Sequence, residues 1–92
     1  MSRQELLAVS EMIGLHARIV ESTNKEIVTK NGVIIDETKS MFTLNTETGD
    51  KKFPKENSKW EFDFNNEKIT LDGKQIAKKP HDRWRIKIWL ET

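Results

Sequence analysis

Apolar positions along the chain change their period at Gly14. Before it, Leu6, Val9, Met12 and Ile13 recur at the three- and four-residue spacing of one helix face, and Ser2 with Glu5 has the spacing of a capping box. Gly14 suits the stop of such a helix. After it the alternation is every second residue. "LHARIVE" sets Leu15, Ala17 and Ile19 against His16, Arg18 and Val20, "STNK" makes a turn, and "EIV" begins another short strand. Asn31-Gly32 is a pair that favours a hairpin or bulge, and it leads into "VIID". "MFTLNT" and "WEFDF" are further strands, the second alternating Trp60, Phe62 and Phe64 with Glu61 and Asp63, and "TGD" turns the chain between them. "KITLDGKQIA" reads as a hairpin closed by Asp72-Gly73.

Six or seven short strands with turn chemistry between them predict a small antiparallel barrel or sandwich. The polar corner Asp36-Glu37-Thr38-Lys39-Ser40 is then a turn at the rim, lying in water. Pro80 followed by "HDRW" is a helix start with Trp84 and Ile88 four apart, so the C-terminal segment is expected to be helical although "RWRIKIWL" also alternates.

Length and composition limit what such a domain is. At 92 residues there is one domain, close to the smallest size at which a core holds without staples. Having no cysteine, the chain forms neither disulfides nor a thiolate zinc site, which fits a reducing, cytoplasmic setting. No stretch is apolar enough to span a membrane, and Glu5 and Glu11 interrupt the N-terminal apolar positions, so no secretory signal is expected. The net charge of +1 hides an asymmetry: residues 1–73 carry 10 Lys and Arg against 13 Asp and Glu, residues 74–92 carry 6 against 2. A positive end on an acidic body points to nucleic acid.

Candidate chemistry is sparse. His16 and His81 have no partner at metal-ligand spacing, the serines lack a nucleophile elbow, and the glycines are dispersed. A nuclease site of its own would need clustered carboxylates; Asp36 with Glu37, or Glu61 with Asp63, have usable spacing but read as surface groups. An interaction module without nucleic acid would need an exposed aromatic groove, whereas Trp60, Phe62 and Phe64 read as core. Basic residues carry more. "KKFPKENSKW" gathers Lys51, Lys52, Lys55 and Lys59 around one loop, and "KQIAKKPHDRWRIK" gathers Lys74, Lys78, Lys79, Arg83, Arg85 and Lys87 around Trp84. Cations interleaved with aromatics suit phosphate neutralisation and stacking on bases.

The succession "EMIGLHARIVESTNKEIV", "NGVIIDETKSMFTL", "KKFPKENSKWEFDF" and "DGKQIAKKPHDRW" resembles the family of archaeal ribonuclease P protein component 1 from about Glu11 to Arg85. Its most specific element is the strand, Asp36-Glu37-Thr38-Lys39 and second strand that follow the "ESTNK" turn. Where the family pattern has a glycine and an isoleucine after an apolar pair, this chain has Thr29 and Lys30 after Ile27 and Val28.

The resemblance implies a mainly β fold: a small antiparallel Sm-like barrel of about six strands over residues 14–79. An amphipathic helical extension precedes it (1–13) and a basic, aromatic tail follows it (80–92). It implies an RNA-binding cofactor of a catalytic RNA that removes the 5′ leader from precursor tRNA. Magnesium acts through that RNA, this chain binds no cofactor, and catalytic side chains are absent from it. The partners implied are ribonuclease P RNA, pre-tRNA within the holoenzyme, a zinc-ribbon subunit and the other ribonuclease P proteins. The RNA-contacting candidates are Lys25, Lys51, Lys52, Lys55, Lys74, Lys78, Lys79, Arg83 and Arg85. Those for the partner subunit are Leu6, Leu7, Val9, Met12, Ile13, Arg18, Trp84 and Ile88.

Overall fold

The computed structural model describes residues 12–77. Residues 1–11 of the expected N-terminal helix and the whole C-terminal tail lie outside them, as do Leu6, Leu7, Val9, Lys78, Lys79, Arg83, Trp84, Arg85 and Ile88, while Met12 and Ile13 are described and are not helical. Six strands follow in order: β1 (His16–Ser22), β2 (Asn31–Glu37), β3 (Met41–Thr46), β4 (Gly49–Pro54), β5 (Ser58–Phe64) and β6 (Glu67–Asp72). A 3-10 turn, Lys25–Ile27, stands between β1 and β2, and a one-turn helix α1, Gly73–Ile76, follows β6. All pairings are antiparallel, in one sheet of order β4-β3-β2-β1-β5-β6. The mainly β reading with about six strands therefore holds.

The sheet curls over on itself. Three strand spacings separate β3 from β5, which in a flat sheet is about 14 Å. Instead the Phe42 ring on β3 meets Trp60 and Phe62 on β5 edge-on, with centroids 5.0 and 6.1 Å apart. Around these aromatics the alternating positions Ala17, Ile19, Ile34, Leu44, Ile69 and Leu71 are buried, with Ile76 of α1 and Met12 closing the core. Their burial removes apolar surface from water at about 25 cal/mol per Å² and is the main source of stability.

Two irregularities decide which side chains enter this core. Pairing slips between Ile19 and Glu21 on β1 and between Ile34 and Asp36 on β2. In β2 strict alternation from Gly32 and Ile34 would bring Asp36 inward. The bulge adds one residue, so Ile35 and Asp36 stay outside and Glu37 is buried.

"EIV" is the 3-10 turn, capped by the Asn24 side chain accepting from the Glu26 N–H, and not a strand. Asn31 and Gly32 lie within β2, where a Cβ on Gly32 would sit 2.2 Å from the Asn45 carbonyl oxygen, so this glycine serves close strand approach. The "KKFPKENSKW" segment is not one loop, because Lys51 and Lys52 belong to β4 and Lys59 to β5. Asp72-Gly73 closes no hairpin. Asp72 caps α1 in a reciprocal capping box with Gln75, and a Cβ on Gly73 would fall 1.5 Å from the Lys55 carbonyl oxygen. The hairpin there is β5–β6, turned by Asn65 and Asn66 with φ of 51° and 65°. Two consecutive left-handed residues match a type I′ turn, which asparagine tolerates.

Thr29 has φ of 77°, a left-handed conformation that costs a side-chain-bearing residue about 1–2 kcal/mol. It is held there because its N–H donates to Ile19 O at 2.8 Å while the Ile19 N–H donates to Lys30 O at 2.9 Å. A glycine, the residue the resemblance leads one to expect here, would take this backbone without strain. Thr29→Gly should therefore raise stability by about 0.5–1 kcal/mol after the entropy cost of glycine. A urea titration reads this as a higher midpoint at unchanged slope; a lower midpoint would mean the threonine is not strained.

Candidate nucleic-acid interface

The expected RNA-contacting lysines separate by environment. Lys51 and Lys52 on β4, Lys25 in the 3-10 turn and Lys74 in α1 are exposed. Lys55 is not. Its side chain is wholly buried, and the Nζ donates to Glu37 Oε2 and to the Thr38 carbonyl oxygen, each at 2.6 Å. The same ammonium lies 4.6 Å from the centre of the Phe42 ring. An ammonium taken from water needs charge and hydrogen bonds around it, and the β2 bulge supplies the carboxylate. Lys55 is therefore a structural lysine, out of reach of a phosphate.

This corrects the reading of the Asp36–Ser40 corner as well. It is polar because one half faces inward: Glu37 and the Thr38 carbonyl receive Lys55. The Met41 N–H donates to Thr38 Oγ1 and the Thr38 N–H to Met41 O, which closes the turn. The backbone of Lys55 completes the junction. Its N–H donates to Ser40 O at 2.8 Å, and its carbonyl accepts from the Trp60 indole N–H at 3.2 Å.

Two other exposed lysines are already engaged. Lys59 reaches Glu21 at 3.1 Å, and Lys68 reaches Asp63 at 2.9 Å and Glu61 at 3.8 Å. The hydrogen bond from Lys68 holds the Asp63 carboxyl below its ordinary range and raises Lys68 in return. His16 lies across the same group, with Nδ1 3.5 Å from Asp63 and Nε2 3.2 Å from Asn31 Oδ1. Glu61 and Asp63 thus face cations, and Glu37 faces Lys55. By contrast, among the described residues no ion pair is formed by Lys51 or Lys52, nor by Lys25, Lys30, Lys39 or Lys74. Lys74 borders an open cleft of about 380 Å³ that also presents Lys59, Glu21, Glu56 and Asp72, and with Lys59 paired to Glu21 the remaining acids make the local balance unfavourable to phosphate.

The partner candidates divide too. Met12, expected at the partner surface, is completely buried in the core and is unavailable there. Ile13 remains 44% exposed and Arg18 is exposed on β1. The sequence reading missed Val33 and Ile35, whose exposures of 42% and 43% make them the other large exposed apolar groups among the described residues. They share a region with Ile13, since the Gly14 N–H donates to Ile34 O and the Ile34 N–H to Leu15 O, both at 2.8 Å. A strand apolar on both faces, "VII", was the available signal.

Comparison with known proteins follows the same outline. Residues 5–86 match the family model of ribonuclease P/MRP subunit p29. Ribonuclease P protein component 1 of Nitrosopumilus maritimus is 48% identical over 73 residues, 79% of this chain and 83% of that protein. The protein of the same name from Methanocaldococcus jannaschii is 32% identical over 79 residues, 85% and 83% of the two chains. Among solved structures, Mth11, a homologue of human RNase P protein Rpp29, superposes with a TM-score of 0.58 at 28% identity, covering 79% of this chain and 96% of that one.

Truncating Lys55 leaves Glu37 buried without its cation, so Lys55→Ala should cost about 3–5 kcal/mol. The paired change Lys55→Met with Glu37→Leu should cost much less than the two single changes together. A double-mutant cycle by urea unfolding measures the coupling, and strict additivity would show that the two groups do not depend on each other.

Proposed function

The chain belongs to the ribonuclease P/MRP subunit p29 family, and from that premise we propose that it is an RNA-binding subunit of ribonuclease P. In this reading it assists a catalytic RNA, through which magnesium acts, in removing the 5′ leader from precursor tRNA. The single observation that carries the reading is the match over residues 5–86, nearly the whole chain, together with relatives named ribonuclease P protein component 1. The curled six-stranded sheet suits an Sm-like barrel, and the exposed lysines Lys25, Lys51, Lys52 and Lys74 suit contact with RNA. The basic residues beyond the described ones, Lys78, Lys79, Arg83 and Arg85, would extend that contact. Such a subunit works in the cytoplasm of an archaeal cell beside the other ribonuclease P proteins.

A zinc-ribbon subunit is the partner this reading assigns to the apolar groups. Ile13, Val33 and Ile35 form an exposed apolar region with Arg18 on the neighbouring strand, and Leu6, Leu7, Val9, Trp84 and Ile88 would add to it from the two ends. Burial of such groups against a partner is favourable, whereas leaving them in water is not.

Reconstitution tests the main reading. Cleavage of labelled pre-tRNA by the cognate RNA and remaining proteins at limiting magnesium should fall at least tenfold when this chain is omitted and return on adding it. Cleavage by this chain in the absence of RNA cofactor would overturn the accessory role. For the partner, Val33→Asp with Ile35→Asp should abolish capture of the zinc-ribbon protein while the melting temperature of the free chain changes little. Unimpaired capture would place the partner elsewhere.

A further inference from the structure

The outer edge of β4 has a backbone feature that its lysines alone do not convey. Strand β4 ends the sheet order, and no described strand pairs with its far side. Its pairing with β3 fixes which backbone groups face that side. The Lys55 N–H donates to Ser40 O, so this pair is of the hydrogen-bonded kind, and the kinds alternate along an antiparallel ladder. Stepping along the register, Phe42 with Phe53, Leu44 with Lys51 and Thr46 with Gly49 are hydrogen-bonded pairs. Met41 with Pro54, Thr43 with Lys52 and Asn45 with Asp50 are the other kind, so the backbone groups of Asp50, Lys52 and Pro54 face outward. Pro54 agrees with this, having no N–H to give to β3.

Two outward N–H groups therefore remain, those of Asp50 and Lys52. Around them, successive strand residues point to opposite faces, so Lys51 and Lys52 straddle the edge. Phe53 beside them is buried against Phe42 and holds the strand in place. The Asp50 carboxylate is turned to the Asn45 amide at 2.9 Å. Lysines and a proline on an edge oppose addition of a protein strand, whereas a phosphodiester is an acceptor-only anion that they attract.

Resting on the RNA-binding reading above, we infer that an RNA backbone runs along the outer edge of β4, its phosphates held by Lys51 and Lys52 and by the Asp50 and Lys52 N–H groups. No base edge is read there, so the contact positions RNA without selecting sequence. The edge, more than the cleft beside Lys74, is where this chain neutralises phosphate.

The test uses the full chain and the ribonuclease P RNA of the same cell. Affinity is measured across a salt series for the unaltered protein, for Lys51→Gln with Lys52→Gln, and for Lys25→Gln with Lys74→Gln. All are first shown to melt alike. The edge pair should make the fall of log affinity with log salt shallower by about 1.4–1.8, at roughly 0.7–0.9 per phosphate contact, and the second pair by less. Amide exchange at Asp50 and Lys52 should slow when RNA is added. A slope that falls only in the Lys25 and Lys74 pair overturns the inference, as does slowing at Asp50 and Lys52 caused by a partner protein without RNA, which would make the edge a strand-addition site. Failure of the unaltered chain to bind RNA at all would overturn the RNA-binding reading itself.

Discussion

The ion pair between Lys55 and Glu37 is the constraint on which the arrangement of strands depends. An ammonium buried to this extent must find its charge and acceptors inside the molecule, which fixes the corner after β2 against the link between β4 and β5. Because the carbonyl of the same residue takes the Trp60 indole N–H and crowds Gly73, its position also sets the central aromatic of β5 and the entry to α1. The corner after β2, strand β5 and α1 therefore share one residue. An apolar substitute of similar volume could pack there, but it would not define the register of the bulged strand in the same way.

Much of the sheet could be read from alternation. β1, β3 and β5 were foreseen nearly residue for residue, because each has one apolar face and a polar one, and burial selects a single phase. Glu37 and Lys55 were misread for a physical reason: a bulge changes the phase of a strand without leaving a mark in local composition, and a lysine in a polar stretch looks solvated until its partner is known. Asp72-Gly73 misled in another way. The aspartate serves as a helix cap and the glycine makes room for a distant carbonyl, both of which require the same residue types as a tight hairpin.

For the candidate interface, residue type was legible but availability was not. The lysine-rich "KKFPKENSK" stretch contains a buried cation, a paired one and two that no described acid engages, and only the three-dimensional pairing separates them. The apolar region formed by Ile13, Val33 and Ile35 was half visible, since Ile13 stood in the expected partner set and the strand residues did not. Met12, by contrast, belongs to the core although it shares the helical spacing of its neighbours, and the Leu15 N–H donates to its carbonyl to close the turn that leads into β1.

The strand order has a consequence for how the chain reaches this state. Four of its five pairings join strands that are consecutive in sequence, and the remaining one, β1 with β5, spans some forty residues. Local hairpins form in microseconds, whereas the distant pairing must first meet the entropy of closing a long loop. Trp60 pairs with Ile19 across that contact and meets Phe42 in the core, so its burial depends on the distant pairing. The rate of acquiring native structure is then governed less by any turn than by how readily the first strand finds the fifth.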